Sequence, residues 1–367
     1  MIHKLYIILA MCLLMMLSAC DEPSGLSTDA YDRRAMLEFT AKNSIIPLYG
    51  DMRQAAKSFD SVLQVFSANP NDQSALELRI HWRKMAFAWQ YVLIFDFGPA
   101  QMSDGSLFQN IGTFPVSTLK IDTYINAMDS TFRNFDRDSR GIYALEYLLF
   151  KDSSSFVQSV KDQPFKLSYA KALSRNILSR IETVLNLWQS DYGNTFISSD
   201  GAQAGSSISE LYNAFVYHFE VLKNYNVGLP LGKRAGQTSS EPTKVEGYLS
   251  GYSTTLLKAK YDAIKNLWYG YARLSLLSSL SAKGFKEYLA SVENGSRLIT
   301  DTELQWNMID SKLANLNSQI PLQDMIKKQS AELEQVFIEL TKHTRFLKSE
   351  MSSLLGISIT YSSSDGD

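Results

Sequence analysis

Apolar residues recur every three or four positions through most of the chain, and sustained alternation of apolar and polar positions is absent. Such spacing forms one apolar stripe along an α-helix, whose period is about 3.6 residues, whereas a half-buried strand needs a period of about two. The clearest stripes run from Met52 to Phe66, Leu173 to Trp188, Leu256 to Tyr271 and Leu333 to Leu347. The pattern therefore predicts an all-α protein with no substantial sheet.

Two breaks in this pattern predict how the chain is divided. Residues 191–207 are rich in glycine and serine and are the best candidate domain boundary, because domains usually join at exposed polar linkers. Residues 228–251 contain several glycines and prolines and predict a long loop, a type of segment that is often functional. We therefore predict two helical bundles of similar size, 30–195 and 205–360, followed by an acidic tail, 361–367.

The N-terminus has the pattern of an export signal. An apolar run from Leu5 to Leu17 follows Lys4; it is too short to span a membrane and ends in small residues. Leu17-Ser18-Ala19-Cys20 fits a bacterial lipobox, whose cysteine thiol receives the lipid; the alternative is an ordinary signal peptide with an incidental cysteine. Residues 1–20 are thus predicted as a lipoprotein signal peptide and 21–29 as a polar tether. The predicted location is the bacterial cell envelope, where the lipid makes the contact with the membrane. The sequence does not decide which face of the membrane carries the anchor.

Composition excludes several classes of function. The formal net charge of -2 and the pI near 6.1 give no general attraction to nucleic acid. A lipidated Cys20 would leave the mature chain without a free thiol, which excludes disulfides, cysteine nucleophiles and thiolate metal sites. The histidines beyond the signal are isolated, and there is no His-Glu-x-x-His, Gly-x-Ser-x-Gly or phosphate-loop motif. These absences argue against a histidine- or cysteine-dependent enzyme.

The most informative segment is 136–150, Asp-Arg-Asp-Ser-Arg-Gly-Ile-Tyr-Ala-Leu-Glu-Tyr-Leu-Leu-Phe. It is typical of a capped helix start, with Asp138 or Ser139 accepting a hydrogen bond from a free backbone N–H group. Tyr143 and Glu146 are three positions apart and therefore neighbours on one helix face. Residue chemistry alone leaves two readings of Glu146 open, a structural anchor or part of a functional site.

This segment closely resembles the signature of the imelysin-like family, Gly-x-His-x-x-Glu followed by Tyr-Leu-Leu-Phe. Further segments match in the family's order: a tryptophan-rich helix with a closing Gly-Pro turn at 82–99, the loop at 228–253 and the ending at 347–367. The resemblance implies an exported bacterial protein built from two similar four-helix-bundle-like domains packed together, with its site at the domain interface. It also implies a link to iron or haem acquisition, although the family was first classed among metallopeptidases.

At the motif histidine this sequence departs from the family, because Tyr143 stands in its place. A phenol titrates near about 10, so a neutral tyrosine does not replace imidazole as a zinc ligand. Phenolate and carboxylate oxygens suit ferric iron better, which makes Tyr143 and Glu146 the candidate metal ligands. The candidate ligand-binding residues at the implied interface are Tyr143, Glu146, Asp96, Trp89, Arg234, Glu246 and Tyr252.

Three functions remain open at this point. The first is a non-enzymatic binding lipoprotein with iron or haem as its ligand and iron-uptake components as its partners. The second is a binder of a non-metal organic ligand or of a partner protein, in which Tyr143 only fills the volume of the histidine. The third is a metallopeptidase, against which the tyrosine argues, and no catalytic residue is assigned.

Overall fold

Helices form nearly all the regular structure in the residues that this computed structural model describes, 31–152, 154–270, 283–329 and 331–361. The strands of this part of the chain are one antiparallel pair, β1 (Gln101–Met102) and β2 (Gly105–Ser106). The all-α class predicted from the apolar spacing is therefore confirmed.

The helices of the first half follow one another with short connections. They are α1 (Arg33–Phe39), α2 (Ile46–Ala68), α3 (Asp72–Val92), α4 (Thr118–Asn126), α5 (Ile142–Phe150), α6 (Phe156–Asp162), α7 (Phe165–Gln189) and α8 (Asp191–Ser198). The apolar stripe of α2 is buried against α3 and α7, as its spacing predicts.

The second half continues in the same style. Its helices are α9 (Ser207–Val221), α10 (Leu229–Leu231), α11 (Ser253–Tyr269), α12 (Phe285–Ala290), α13 (Gly295–Ala314), α14 (Leu322–Lys327), α15 (Ala331–Arg345) and α16 (Ser352–Leu355). Helix α13 packs against α15, and α11 packs against α3 of the first half. The halves therefore meet along α3 and α11. Residues from Asp32 onward form one compact unit, and the division into two bundles stays a prediction.

Tighter and wider turns interrupt the α-helices. Turns of π-helix lie at Thr40–Ile45, Phe108–Gly112, Leu222–Gly228 and Phe346–Met351. Turns of 3₁₀-helix lie at Leu93–Phe95, Gly98–Ala100, Arg137–Ser139 and Pro242–Lys244. Single π-turns are frequent at functional sites, and two of these four come back in the cavity described below.

Two local predictions need correction. The predicted break at 191–207 is shorter, because residues 191–198 form α8. The predicted cap of the motif helix is wrong: α5 begins at Ile142, and its N-cap is Gly141 without a side-chain hydrogen bond. Ser139 instead donates from Oγ to the carbonyl oxygen of Asp136 at 2.7 Å.

The predicted terminal segments lie outside the described residues. These are the signal peptide 1–20 with Cys20, the tether 21–29 and the tail beyond Tyr361. None of the described helices is both long enough and apolar enough to cross a membrane.

Candidate functional site

The helix that carries the motif, α5, is buried almost all round, including every residue from Ile142 to Tyr147. Trp82 of α3 anchors its first turn by donating from Nε1 to the Ile142 carbonyl oxygen at 2.9 Å. Gly141 is required before it, since its φ is +88° and a Cβ there would lie 2.4 Å from the Ile111 carbonyl oxygen. The backbone conformation and the close approach of Ile111 therefore require a glycine at this position of the motif.

The hydroxyl of Tyr143 joins the two halves of the chain. Its Oη donates to Glu246 Oε2 at 2.9 Å and accepts from Gln90 Nε2 at 3.2 Å. Burial, and then the negative charge of Glu246, raises the pKa of the Tyr143 phenol well above its usual range. The phenol therefore stays protonated and acts as a hydrogen-bond donor.

Glu246 is the centre of a buried polar network. Its Oε1 accepts from Lys260 Nζ at 2.8 Å and from Asn226 Nδ2 at 3.1 Å, and Lys260 also donates to Asn226 Oδ1 at 3.1 Å. The side chains of Lys260 and Glu246 are only 3% and 13% exposed. Burial alone would raise the pKa of Glu246, but the charge and hydrogen bonds of Lys260 hold it below its usual range. The network thus keeps an ionised pair inside the protein.

Glu146 binds the segment that contains Glu246, a few residues further along the chain. Its Oε1 accepts from the backbone N–H of Ser250 at 2.8 Å, while Arg83 donates from Nη2 to the Ser250 carbonyl oxygen at 3.1 Å. Burial raises the pKa of Glu146 to about 7, because the hydrogen bonds from Ser250 and Leu249 offset it only in part. We call residues 245–252 the strap. Side chains of α3 and α5 therefore fasten the strap near both of its ends.

The strap borders a cavity of about 530 Å³. Its lining comes from both halves: residues 93–115 on one side, and α9, the π-turn at 222–228, the strap and α11 on the other. The polar and charged groups that line it include Asp96, His218, Glu220, Lys244, Glu246 and Lys260. A second group of lining side chains is aromatic and consists of Phe108, Phe114, Tyr217, Tyr225 and Tyr361.

Two of the lining carboxylates lie in different environments. Glu220 pairs with Lys348 at 3.0 Å and accepts from the Tyr361 hydroxyl at 2.6 Å. Asp96 accepts from the backbone N–H of Phe108 at 3.1 Å, and burial raises its pKa to about 6. Within the described residues, no group of three or more His, Cys, Asp or Glu side chains converges as a set of metal ligands.

The predicted site residues fall into two groups. Asp96 and Glu246 line the cavity, whereas Tyr143 and Glu146 do not line it and instead bind the strap. This arrangement does not fit a metal ion held by Tyr143 and Glu146. Both side chains are buried, each is engaged in hydrogen bonds, and the raised pKa of the Tyr143 phenol disfavours the phenolate that a metal needs.

The remaining predicted residues do not line the cavity. Trp89 is a core residue, packed so tightly that a Cβ on Gly112 would lie 2.3 Å from its ring. The Arg234 guanidinium lies 4.2 Å from the ring centroid of Tyr225, which is a lining residue. The Tyr252 ring packs under the Arg83 guanidinium at 5.6 Å. Of these three residues, Arg234 therefore contacts the cavity wall from outside.

The site residues predicted from the sequence do not include four charged or polar lining residues, His218, Glu220, Lys244 and Lys260. For Lys260 a signal was present, because Leu256, Lys260 and Ile264 are spaced by four and place the lysine on the apolar stripe of α11. A lysine on a buried stripe needs a buried partner, and Glu246 supplies it.

An all-helical protein with a cavity between its two halves is the class that this geometry defines. A family model described as imelysin matches residues 45–338, and the chain belongs to the imelysin family. No curated protein matches it significantly.

Solved structures with this fold include two bacterial proteins. An imelysin-like protein from Psychrobacter arcticum 273-4 has a TM-score of 0.71 at 19% identity, over 90% of this chain and 97% of that one. A protein described as an iron-regulated protein A precursor, from Parabacteroides distasonis ATCC 8503, has a TM-score of 0.71 at 17% identity, over 88% and 95%. At these identities the likeness concerns the fold.

Proposed function

We propose that this chain is a non-enzymatic binding protein of the bacterial cell envelope that takes an organic iron complex into the cavity between its two halves. The observation that carries the proposal is the cavity itself. Its volume of about 530 Å³ lies within the range of small-molecule sites, roughly 300–1,000 Å³. Such sites combine apolar and aromatic walls with a few placed polar groups, as this one does.

The aromatic residues of the cavity lining suit a flat organic ligand. Tyr217 and Tyr361 meet edge to face with ring centroids 5.4 Å apart, and Phe114 packs in the same way on Tyr143 at 5.2 Å. Rings held in this manner present fixed apolar surfaces at little conformational cost. The same lining also contains an ion pair, Glu246 and Lys260, which gives the cavity a polar region.

The iron would be cargo that arrives already bound by its own organic ligands. The described residues provide no converging group for a bare ion, so a complexed iron fits the lining better than a free one. The relative described as an iron-regulated protein A supports this choice of ligand. The hydrogen-bonded Tyr143 phenol argues against a zinc peptidase.

The cellular setting follows from the predicted N-terminus. A lipid on Cys20 would hold the protein at a membrane of the cell envelope, where a cargo could pass to iron-uptake components. Labelling cells with a fatty-acid probe, for the natural chain and for Cys20→Ala, tests this part. Label on the variant, or no label on either chain, would contradict lipidation at Cys20.

The binding proposal is tested by titrating the purified chain with haemin, with a ferric catecholate chelate and with free ferric ion, using calorimetry and absorbance. We expect one equivalent of a complex to bind. Lys244→Ala should weaken it about two- to five-fold, the effect of one partly exposed ion pair to an acidic ligand. Lys233→Ala is the matched control, because Lys233 pairs with Glu334 and lies outside the lining.

Failure of both complexes to bind would contradict the proposed function. Saturable binding of the iron-free chelator, with no preference for its iron form, would instead favour the alternative of a non-metal organic ligand.

A further inference from the structure

The carboxylates in the cavity lining already have partners within the protein. Glu246 pairs with Lys260 at 2.8 Å, and Glu220 pairs with Lys348 at 3.0 Å. Asp96 accepts a backbone N–H hydrogen bond at 3.1 Å. None of these three groups therefore needs a ligand to satisfy it.

Lys244 is the exception among the charged lining residues. It is partly buried and ends the 3₁₀ turn Pro242–Lys244. Within the part of the chain that the structure describes, its ammonium has neither an ion pair nor a hydrogen bond. An ammonium group has three N–H donors, and a charge that is partly removed from water is stabilised by a partner of opposite sign. The lining therefore offers one cation to a ligand.

The backbone fixes where Lys244 stands. Its N–H donates to the Glu241 carbonyl oxygen at 2.9 Å, and the Glu241 N–H donates to the Pro230 carbonyl oxygen at 2.9 Å. Two positions after Lys244, Glu246 accepts from the Tyr143 hydroxyl at 2.9 Å. The base of the lysine is therefore held on both sides, while its ammonium is left without a partner among the described residues.

A second cation lies close to the same wall. The Arg234 guanidinium is 4.2 Å from the ring centroid of Tyr225, a lining residue. The next residue, Asn226, donates from Nδ2 to Glu246 Oε1 at 3.1 Å, so this turn runs beside the segment that carries Lys244. Apolar and aromatic walls reduce the screening of charges by water. Cations near such a wall therefore attract an anion more strongly than they would at an open surface.

We infer that the cavity selects a negatively charged complex and that Lys244 pairs with an acidic group of this ligand. The inference rests on the proposed function and adds to it the charge of the cargo and the residue that recognises this charge. A complex with carboxylate groups at its edge, or with an overall negative charge, makes the contact with Lys244. A neutral complex of the same size lacks it.

The test compares two forms of one macrocycle on the purified full chain: haemin, which carries propionate groups, and its dimethyl ester, in which these groups are neutral. The natural chain should bind haemin about two- to five-fold more tightly than the ester, the effect of one partly exposed ion pair. Lys244→Met should bind both forms alike, and Lys244→Glu should prefer the ester. Lys233→Met is the matched control, because Lys233 pairs with Glu334 outside the lining, and it should keep the preference of the natural chain.

A second pair of complexes, an anionic ferric tricatecholate and a neutral ferric trihydroxamate, extends the comparison to a cargo that is not a macrocycle. Each variant is judged by the ratio of two affinities, so a general loss of stability does not imitate the expected result. An undiminished preference for the anionic form in Lys244→Met would overturn the role of Lys244.

Equal or tighter binding of the neutral form by the natural chain would overturn the selection for an anion. In both of these cases the binding itself, and with it the proposed function, would stand. Failure of all four complexes to bind to the natural chain would overturn the proposed function as well.

Discussion

Glu246 lies in the strap and Glu146 of α5 binds the strap at Ser250, yet the pKa values of the two carboxyl groups are shifted in opposite directions. Glu246 has the Lys260 ammonium at 2.8 Å, and its pKa lies below the usual range. Glu146 accepts a backbone N–H hydrogen bond from the strap, and burial raises its pKa to about 7. The Glu246 carboxylate at the cavity is therefore ionised at neutral pH, whereas the pKa of the Glu146 carboxyl on the motif helix lies near neutral pH.

The difference shows what each carboxylate does. An ionised, paired Glu246 gives the cavity wall a fixed charge distribution. Glu146 holds a backbone N–H, and this hydrogen bond survives protonation of the other oxygen. The motif glutamate therefore acts as a clamp on the strap, and the four predictions that follow test this contrast.

The largest effect is expected from Lys260→Met. It leaves Glu246 as a buried charge without its cation, which costs about 3–5 kcal/mol of the free energy of unfolding. Urea unfolding at neutral pH measures it. The matched control is Lys265→Met on the same helix, whose partner Asp310 is 38% exposed, and it should cost less than about 1 kcal/mol. Equal costs for the two variants would break the contrast.

Glu146→Gln should change the pH dependence of stability. The folded pKa of about 7 lies above the ordinary 4.5, so the folded state keeps a proton that the unfolded state loses between these values. Stability contributed by Glu146 is therefore complete below pH 4.5 and lost as pH rises through 7, by about 3 kcal/mol in total.

Urea midpoints from pH 4.5 to 8 measure this slope. The natural chain should lose about 3 kcal/mol relative to Glu146→Gln over the interval. Glu334→Gln, which alters an exposed ion pair, should run parallel to the natural chain. A Glu146→Gln profile parallel to the natural one would show that Glu146 is ionised in the folded state.

Tyr143→Phe should cost about 1.5–3 kcal/mol, the range for a hydrogen bond to a charged acceptor, because it removes the 2.9 Å bond to Glu246. Tyr147→Phe is the control on the same helix. Tyr147 donates to Asp122 at 2.7 Å, but Asp122 is 46% exposed and is readily hydrated, so a smaller cost is expected. Thermal or urea unfolding compares them, and a larger cost for Tyr147→Phe would contradict the role of Tyr143.

The smallest effect is expected from Ser250→Ala, about 1 kcal/mol. The change removes a hydroxyl that donates to the Gly247 carbonyl oxygen at 3.1 Å, but it leaves the backbone N–H that binds Glu146. A loss as large as that of Lys260→Met would show that the clamp depends on the hydroxyl.

Helical class and the positions of the main stripes could be predicted from the sequence, because both depend on local periodicity. Leu173, Ile177 and Ile181 repeat every four residues and are buried along α7. Local reasoning failed at the start of α5. Asp138 and Ser139 are good capping residues, but the close approach of Ile111 to Gly141 decides where that helix begins.

The candidate site also divides into features that the sequence predicted and features that it did not. The motif and the family resemblance pointed to Tyr143, Glu146, Asp96 and Glu246 before any fold was known. Neither of them indicated that Tyr143 and Glu146 bind the strap while Asp96 and Glu246 line the cavity. Local periodicity does not encode which distant side chains meet.

The sequence by itself determined the all-α class and, through the motif, the family to which the chain belongs. Only the tertiary structure brought His218 and Lys260 to the same cavity as Asp96 of the first half. The physical reason is that charge pairing and burial depend on contacts between helices far apart in the chain. Those contacts hold the pKa of Glu246 below its usual range and lower the pKa of the His218 imidazole to about 3.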